Sequence, residues 1–226
     1  MLLYYDLHIH SCLSPCAGED MTPDNICGMA HLKGLQVISV TDHNSAGNLR
    51  ACQQAAKENS LLFIPGMELC TREEVHLLAY FPTVDAAEEM GQRCRGFLPP
   101  MKNKPDFFGN QWVVDYQGTL LYEEEALLIG ALNLSFSEVV GMVRKLGGVP
   151  VPAHIHRRNG VVQMLGFIPP GDAITTVEVR PGDCPPVGYR VLHSSDAHQL
   201  GDISERLYHV SAEPTVQSVL DEMKII

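Results

Sequence analysis

The stretch YYDLHIHSCLSPC, residues 4–16, places His8 and His10 one residue apart at the end of an apolar run. Residues 2–5, which precede them, are typical of a β-strand. Because residues i and i+2 of a strand point to the same face, the two imidazoles are expected to lie side by side. The stretch therefore presents either two ordinary polar residues to solvent or two nitrogen ligands to a metal ion.

Short apolar runs alternate with helical patterns along most of the chain. The first helix is predicted to begin at Pro23, with Thr22 as its N-cap. This alternation indicates βαβ units and a parallel sheet, in which ligands bind at the carboxyl ends of the strands. Polar side chains gather at those predicted ends: His8, His10, Asp42, His43, Glu68, His154, His156, Asp196 and His198. His76 instead lies early in its strand.

The length and composition predict one α/β domain that spans residues 1–226 and buries a sizeable core. The formal net charge of −11 does not suit a broad electrostatic grip on DNA or RNA, so a long nucleic acid is not expected as a partner. A small phosphorylated substrate is compatible with this charge, because bound cations dominate the field around a metal site.

The seven cysteines are an odd number without a CxxC pair, so we expect reduced thiols in a cytoplasmic protein. The first residues lack the pattern of a signal peptide. No apolar run reaches the roughly 18 residues that a membrane span requires, so no membrane association is expected.

Residues 96–135 break the alternation of strands and helices with proline, glycine, asparagine and aromatic residues. We expect this segment to be an insertion over the site or at a subunit contact. In the second case the protein would be a homodimer. Plain surface elaboration is the alternative. Trp112 lies in this segment, and its indole either stacks on a substrate ring or packs in the core or an interface.

The polar residue types are those that bind metal ions. Imidazole nitrogens bind zinc, iron and manganese, and carboxylate oxygens can bridge two ions. One histidine on a strand is more often structural, but HxH together with TDH, an isolated glutamate and SDAH favours a metal site. Ions about 3.5–4 Å apart would clamp the attacking and leaving oxygens at phosphorus and lower the pKa of a bound water.

The motifs DLHIHS, TDHN, GMEL, HLLAYF, PAHI and SSDAH follow one another along residues 6–198. In this order they resemble the PHP superfamily, the polymerase and histidinol phosphatase domains. The resemblance covers about residues 3–210 and implies a distorted (β/α)7 barrel with a trinuclear metal site and phosphoesterase activity. It implies three divalent ions of zinc, manganese or iron, with these ligands: His8, His10, Asp20, His43, Glu68, His76, His154, Asp196 and His198.

Several roles stay open within this resemblance. The ligand contributed by the loop after the first motif is expected to be Asp20, with Glu19 as the alternative. Asp42 and Asp6 are interpreted as partners that orient an imidazole. His156 departs from the family pattern and is either a substrate contact or leaving-group acid, or an exposed loop histidine. Arg157 suits phosphate recognition, with a solvated loop residue as the alternative.

The sequence therefore predicts a metal-dependent phosphoesterase acting on a small phosphorylated metabolite or a nucleotide. One alternative is a regulatory PHP module that binds metal without catalysis. The other is an amidohydrolase-type enzyme, which also begins with HxH on a first barrel strand but needs a lysine at the end of a middle strand. The lysines of this chain lie in helical or loop patterns instead.

Overall fold

Short strands and helices alternate over most of the computed structural model, which describes residues 1–225. The strands are β1 (Leu2–Ile9), β2 (Val37–Val40), β3 (Leu62–Phe63), β4 (Gly66–Cys70), β5 (His76–Tyr80), β6 (Trp112–Val114), β7 (Leu120–Glu123), β8 (Val149–Pro152), β9 (Thr176–Glu178), β10 (Arg190–Leu192) and β11 (His209–Ser211). The helices are α1 (Pro23–Leu32), α2 (Leu49–Glu58), α3 (Val84–Arg95), α4 (Pro105–Phe108), α5 (Phe136–Lys145), α6 (Val161–Leu165) and α7 (Val216–Met223).

Local sequence signals define where the main helices begin. Helix α1 starts at Pro23, as predicted, because proline fits the first helical turn, where its missing N–H is not needed. Helix α5 begins with a capping box, in which Ser135 and Glu138 satisfy each other's backbone N–H groups. The capping box of α5 satisfies amide groups that would otherwise lack partners, whereas the Thr22 side chain at the N-cap of α1 forms no capping hydrogen bond.

Two sheets carry most of the residues around the site. In the first, β2 pairs in parallel with β1 and β3, and β11 adds to β1 in the antiparallel sense. In the second, β5 pairs with β4 on one side and β8 on the other, and both pairings are antiparallel. The predicted parallel arrangement is therefore wrong for this sheet. Residues 71–75 join β4 to β5, and this connection is too short for a parallel crossover.

The strand ladders of residues 1–225 form four separate sheets, and they do not close into a barrel. Parallel β9 and β10 form the third sheet, and β6 and β7 form the fourth. Isolated bridges join Ile9 to Ala197 and His43 to Glu68, so neighbouring sheets meet at the ends of β1 and β2. The α/β fold is confirmed, whereas the closed (β/α)7 barrel is not confirmed by these pairings.

Two apolar clusters hold the strands and helices together. One packs α1, α2, α3 and α5 against the sheets, and its fully buried members include Ile38 and Met67. The other lies among β1, β5, β8, β10, β11 and α7, with Leu7 and Leu78 fully buried in it. Burying a side chain of this size contributes roughly 1.5–3 kcal/mol to folding. No helix among residues 1–225 combines the length and apolar character that crossing a bilayer requires.

Residues 96–135 fold into α4 and the hairpin of β6 and β7. The Trp112 N–H donates to Cys12 O at 2.9 Å, and the Asn48 amide bonds to Trp112 O and Val114 N. The Asn44 side chain donates to Leu128 O at 2.7 Å. The segment therefore packs beside the loops that follow β1 and β2. Its role as a lid or subunit contact stays a prediction.

Candidate metal centre

Five imidazoles surround the buried carboxylate of Glu68, which lies in the middle of β4. Its Oε1 is 2.9 Å from His76 Nδ1 and 3.2 Å from His154 Nε2. Its Oε2 is 3.2 Å from His43 Nδ1. These histidines come from the start of β5, the loop after β8 and the loop after β2, so three separate segments meet at one carboxylate.

His8 and His10 complete this set from the end of β1. Their Nε2 atoms lie 3.2 Å apart, and they are 3.5 and 3.4 Å from Glu68 oxygens. Asp196 Oδ1 approaches the same two nitrogens at 3.3 and 3.4 Å. The ring of His198 stacks on His10 with centroids 4.3 Å apart. The predicted convergence of the HxH pair is therefore present in the structure.

The geometry of these side chains fits metal ions. Three sets of potential ligand atoms each lie within 4.8 Å of one another: His8, His10 and Glu68; His10, His43 and His198; His43, Glu68 and His76. The Nδ1 atoms of His43 and His154 are buried and lack a hydrogen-bond partner among the described residues. Buried polar atoms are normally satisfied, so these unpaired nitrogens are available to bind a cation.

Glu178 supports this cluster from β9, and the sequence analysis missed it. His8 Nδ1 lies 3.0 Å from both Glu178 carboxylate oxygens, and the His154 backbone N–H donates to Glu178 Oε2 at 2.9 Å. A carboxylate at Nδ1 keeps the proton on that nitrogen and leaves Nε2 free for an ion. The signal was present, because Glu178 is the single charged residue between two valines in TTVEV.

His10 has its own supporting pair in Ser14 and Asp42. His10 Nδ1 lies 3.0 Å from Ser14 Oγ, which donates to Asp42 Oδ1 at 2.7 Å. Asp42 also accepts the Ser11 N–H and hydroxyl. Asp42 thus acts on an imidazole through a serine, and it holds the loop after β1 in place.

Asp6 contacts backbone rather than an imidazole. Its carboxylate accepts the N–H groups of Ser195 at 3.1 Å and Ser204 at 2.8 Å. Asp196, beside Ser195, has a φ of 57°, a left-handed conformation that is unfavourable for a residue with a Cβ. Asp6 therefore ties β1 to the loop that carries Asp196.

Electrostatics in the cluster favour a charged imidazole at His8 and His76 when no metal is bound. Burial alone would lower the pKa of His8, but Glu178, Asp196 and Glu68 outweigh it and raise that pKa well above its usual value. Burial acts likewise on His76, where Glu68 prevails and raises the pKa to about 10.

The same contacts shift the pKa of the Glu68 carboxyl in the opposite direction. Burial would raise the pKa of Glu68, but the surrounding imidazoles hold it well below its usual value. Burial lowers the pKa of His43 well below its usual value.

The structure does not bring Asp20 or Glu19 into the cluster. Both side chains are exposed, and Glu19 accepts a hydrogen bond from the Asn110 side chain at 2.5 Å. The Cys12 N–H bonds to Met21 O and the Met21 N–H to Gly18 O, so residues 19 and 20 project from the tip of a turn. Their role as loop ligand stays a prediction that this geometry does not support.

His156 and Arg157, predicted as catalytic, contact the loop of residues 181–188 instead. His156 Nε2 lies 2.9 Å from Cys184 O. Arg157 forms two hydrogen bonds to the Asp183 carboxylate, at 3.0 and 3.1 Å. The turn at His154, whose φ is 26°, precedes the fully buried Ile155, and the side chains of His156 and Arg157 then contact residues 181–188 rather than the cluster. Both residues thus anchor a neighbouring loop.

The sequence model of the PHP domain family matches residues 6–145, which contain His8, His10, His43, Glu68 and His76. The chain belongs to the PHP domain family. The uncharacterized protein MJ0043 of Methanocaldococcus jannaschii is 26% identical over 187 residues, covering 80% of this PHP chain and 20% of that protein.

Solved structures share the fold. A lesion-specific endonuclease Q from Pyrococcus furiosus is similar with a TM-score of 0.72 and 19% identity, over 99% of this PHP chain and 56% of that chain. An amidohydrolase from Chromobacterium violaceum is similar with a TM-score of 0.64 and 17% identity, over 98% and 96% of the two chains. This PHP chain therefore spans about half of the endonuclease.

One sequence-based expectation is wrong, namely the exclusion of a long nucleic acid. Endonuclease Q in complex with a 27-mer duplex that carries an abasic lesion is similar with a TM-score of 0.59 and 19% identity, over 88% of this chain and 50% of that chain. A protein with this fold thus acts on duplex DNA. Net charge is a poor guide here, because bound cations rather than distant surface carboxylates determine the field at a metal site.

Proposed function

We propose that this PHP domain is a metal-dependent phosphoesterase. The observation that carries the proposal is the convergence of five imidazoles within 3.5 Å of one buried carboxylate, Glu68. Glu68 and Asp196 add oxygen ligands to these nitrogens. Such a mixed set suits divalent zinc, manganese or iron. A purely structural role for so many buried titratable groups would be costly, since buried charges need partners.

Three ions are the number that we propose, held by the predicted histidines with Glu68 and Asp196. When bound, such ions supply Lewis acidity at phosphorus and lower the pKa of water. Glu178 sets the ring orientation and tautomer of His8, and Ser14 does the same for His10. His198 has the most exposed imidazole of the cluster, at 29%, and therefore faces the side from which a substrate arrives.

The substrate that we propose is a phosphate ester of one of two kinds. A small phosphorylated metabolite or nucleotide is the first. A DNA strand with a lesion is the second, and it is supported by the similarity in fold to endonuclease Q over 99% of this chain. A metal-loaded sample assayed on p-nitrophenyl phosphate, on nucleotides and on a duplex with an abasic site separates these two kinds.

The decisive variants are His8→Ala and Glu68→Ala. Each removes a group that lies at the centre of the cluster, so we expect loss of bound metal and a fall of hydrolysis to the uncatalysed background. Metal content by mass spectrometry and folding by circular dichroism are measured on the same samples. The matched control is His31→Ala, because His31 is exposed on α1, away from the cluster.

Unchanged hydrolysis in folded His8→Ala or Glu68→Ala protein contradicts the proposal. A wild-type protein that holds metal but hydrolyses none of these esters also contradicts it, and favours the regulatory module. The amidohydrolase alternative has less support, because no lysine among residues 1–225 ends a middle strand: Lys33, Lys57, Lys145 and Lys224 lie in helices or at their ends, and Lys102 and Lys104 lie in the segment of residues 96–135.

A further inference from the structure

The positively charged guanidinium of Arg180 lies at the edge of the histidine and carboxylate cluster. Arg180 follows β9 and lies two residues after Glu178, so the two side chains project from the same face of the chain. Val177 and Val179, at the alternate positions, are buried in the apolar core. One segment therefore provides a carboxylate to His8 and a guanidinium to the same pocket.

The guanidinium contacts the cluster through Asp196. Arg180 Nη2 donates to Asp196 Oδ2, while Asp196 Oδ1 lies 3.3 and 3.4 Å from the Nε2 atoms of His8 and His10. The Arg180 side chain is nevertheless 40% exposed. It forms no second hydrogen bond to any of residues 1–225, so its remaining N–H donors are not engaged by the described part of the chain.

The backbone around Arg180 is held in place on both sides. Before it, the Val179 N–H donates to Leu192 O at 3.0 Å, and Val179 O is 2.6 Å from His193 Nδ1. After it, the loop of residues 181–188 is anchored by the contacts of His156 and Arg157 described above. Arg180 therefore lies in a segment whose backbone is anchored on both sides. His156 and Arg157, which anchor the loop after it, lie outside the cluster.

Arg180 is distinguished from the other cations by its partner. In the part of the chain that the structure describes, every other arginine or lysine ion pair engages a carboxylate outside the cluster. A guanidinium presents parallel N–H donors that match two oxygens of a phosphate group. The Asp196 contact places this guanidinium beside the groups that would hold the ions.

Resting on the proposed function, we propose that Arg180 binds the phosphate group of the substrate and thereby selects phosphate esters over neutral substrates. Arg180 is a binding residue in this scheme, whereas Asp196 and the histidines hold the ions. The sequence analysis considered Arg157 for phosphate recognition, with a solvated loop residue as the alternative, and the structure pairs its guanidinium with Asp183. The charge of Arg180 thus replaces the cation expected from the loop after β8.

The test measures inorganic phosphate binding by calorimetry on manganese-loaded protein, together with kcat and KM for p-nitrophenyl phosphate. For Arg180→Ala, we expect the phosphate Kd and the KM to rise about 10- to 100-fold, the range for loss of a hydrogen-bonded charge, with a smaller change in kcat. Arg180→Lys keeps the positive charge but loses the paired N–H donors of the guanidinium, so its phosphate Kd and KM should lie between those of the wild type and of Arg180→Ala. Manganese content should equal that of the wild type.

The control is Arg50→Ala, which removes an exposed arginine ion pair between α2 and α3 and should leave the phosphate Kd unchanged. A phosphate Kd of Arg180→Ala within twofold of the wild-type value overturns the proposal. So does loss of manganese from that variant, which would make Arg180 a positioning residue for Asp196, or a lack of phosphate binding by the loaded wild type.

The two proposals fail in different ways. If the wild type hydrolyses no ester but its phosphate affinity depends on Arg180, the proposed phosphoesterase function is wrong and the proposed binding role of Arg180 is supported. If hydrolysis depends on His8 and Glu68 while Arg180→Ala changes neither the phosphate Kd nor the KM, only the proposed binding role of Arg180 is wrong.

Discussion

At the scale of single residues, the centre is a balance of buried charges. Glu68 is 1% exposed and Glu178 2%, and isolated carboxylates at such depth would be strongly unfavourable. Each is stabilised by imidazoles, with Glu68 among five of them and Glu178 against His8 and the backbone of His154. Removing one partner of such a pair costs more than the pair itself contributes, because the other charge is left unpaired.

This balance makes Glu178 a sensitive position. Glu178→Gln keeps the size of the side chain. Its amide NH2 group, however, would face an N–H donor, at His8 Nδ1 or the His154 backbone, whose hydrogen bond the carboxylate accepts. We expect metal affinity to fall about 10- to 100-fold, the usual effect of losing a carboxylate behind a histidine ligand. Chelator competition measures it, with the exposed Glu213→Gln as the control. Equal affinities of the two variants would contradict the assigned role.

Single residues also differ in how well the sequence predicts them. His8, His10, His43 and Asp196 stand in short motifs at or within four residues of strand ends, and the alternation of side chains along β1 brings the first two together. The position of Asp20 is harder to predict, because the path of its loop depends on backbone hydrogen bonds, here between Cys12, Gly18 and Met21, that no residue pattern encodes.

At the scale of elements, the connection between β8 and α6 positions His154. A Cβ on Gly160 would lie 2.5 Å from His154 O and 2.5 Å from Ile155 O, closer than real carbon–oxygen contacts allow. The loop is further tied to β5, since the His76 N–H donates to Asn159 O at 2.7 Å. The absence of a side chain at Gly160 thus lets one tight turn deliver His154 beside His76.

We expect Gly160→Ala to lower the free energy of unfolding by about 1–3 kcal/mol, the usual cost of forcing atoms into a packed site. Metal affinity should fall as well, because His154 must move. Urea unfolding and metal titration measure the two effects. Gly171→Ala is the matched control, because a Cβ there would meet nothing within 4 Å. Equal stabilities of the two variants would contradict this account.

Elements were predicted better than their pairing. The strand and helix patterns of β1, α1, α2, α3, α5 and α7 are local, and the structure contains each of them. The antiparallel order of β4, β5 and β8 depends instead on the length of the connection at residues 71–75 and on a return across α5. The short β6, β7 and β11 lack the apolar periodicity that sequence analysis needs.

At the scale of the whole molecule, the centre exists only in the folded chain. Its members range from His8 to His198 in sequence and come from the ends of strands in three sheets. An unfolded chain offers no such site, so metal that binds here stabilises the fold by mass action.

Metal binding should therefore exchange protons for ions. Without metal, neighbouring carboxylates raise the pKa of His8 well above its usual value and that of His76 to about 10, so these two imidazoles hold protons at neutral pH. An ion needs the neutral ring, so metal affinity should weaken as pH falls and strengthen as pH rises towards the pKa of His76. Calorimetry at pH 7 in buffers of different ionisation enthalpy should detect net proton release. A metal-binding enthalpy that is independent of the buffer would show that the imidazoles are neutral beforehand, contrary to the charge balance around Glu68.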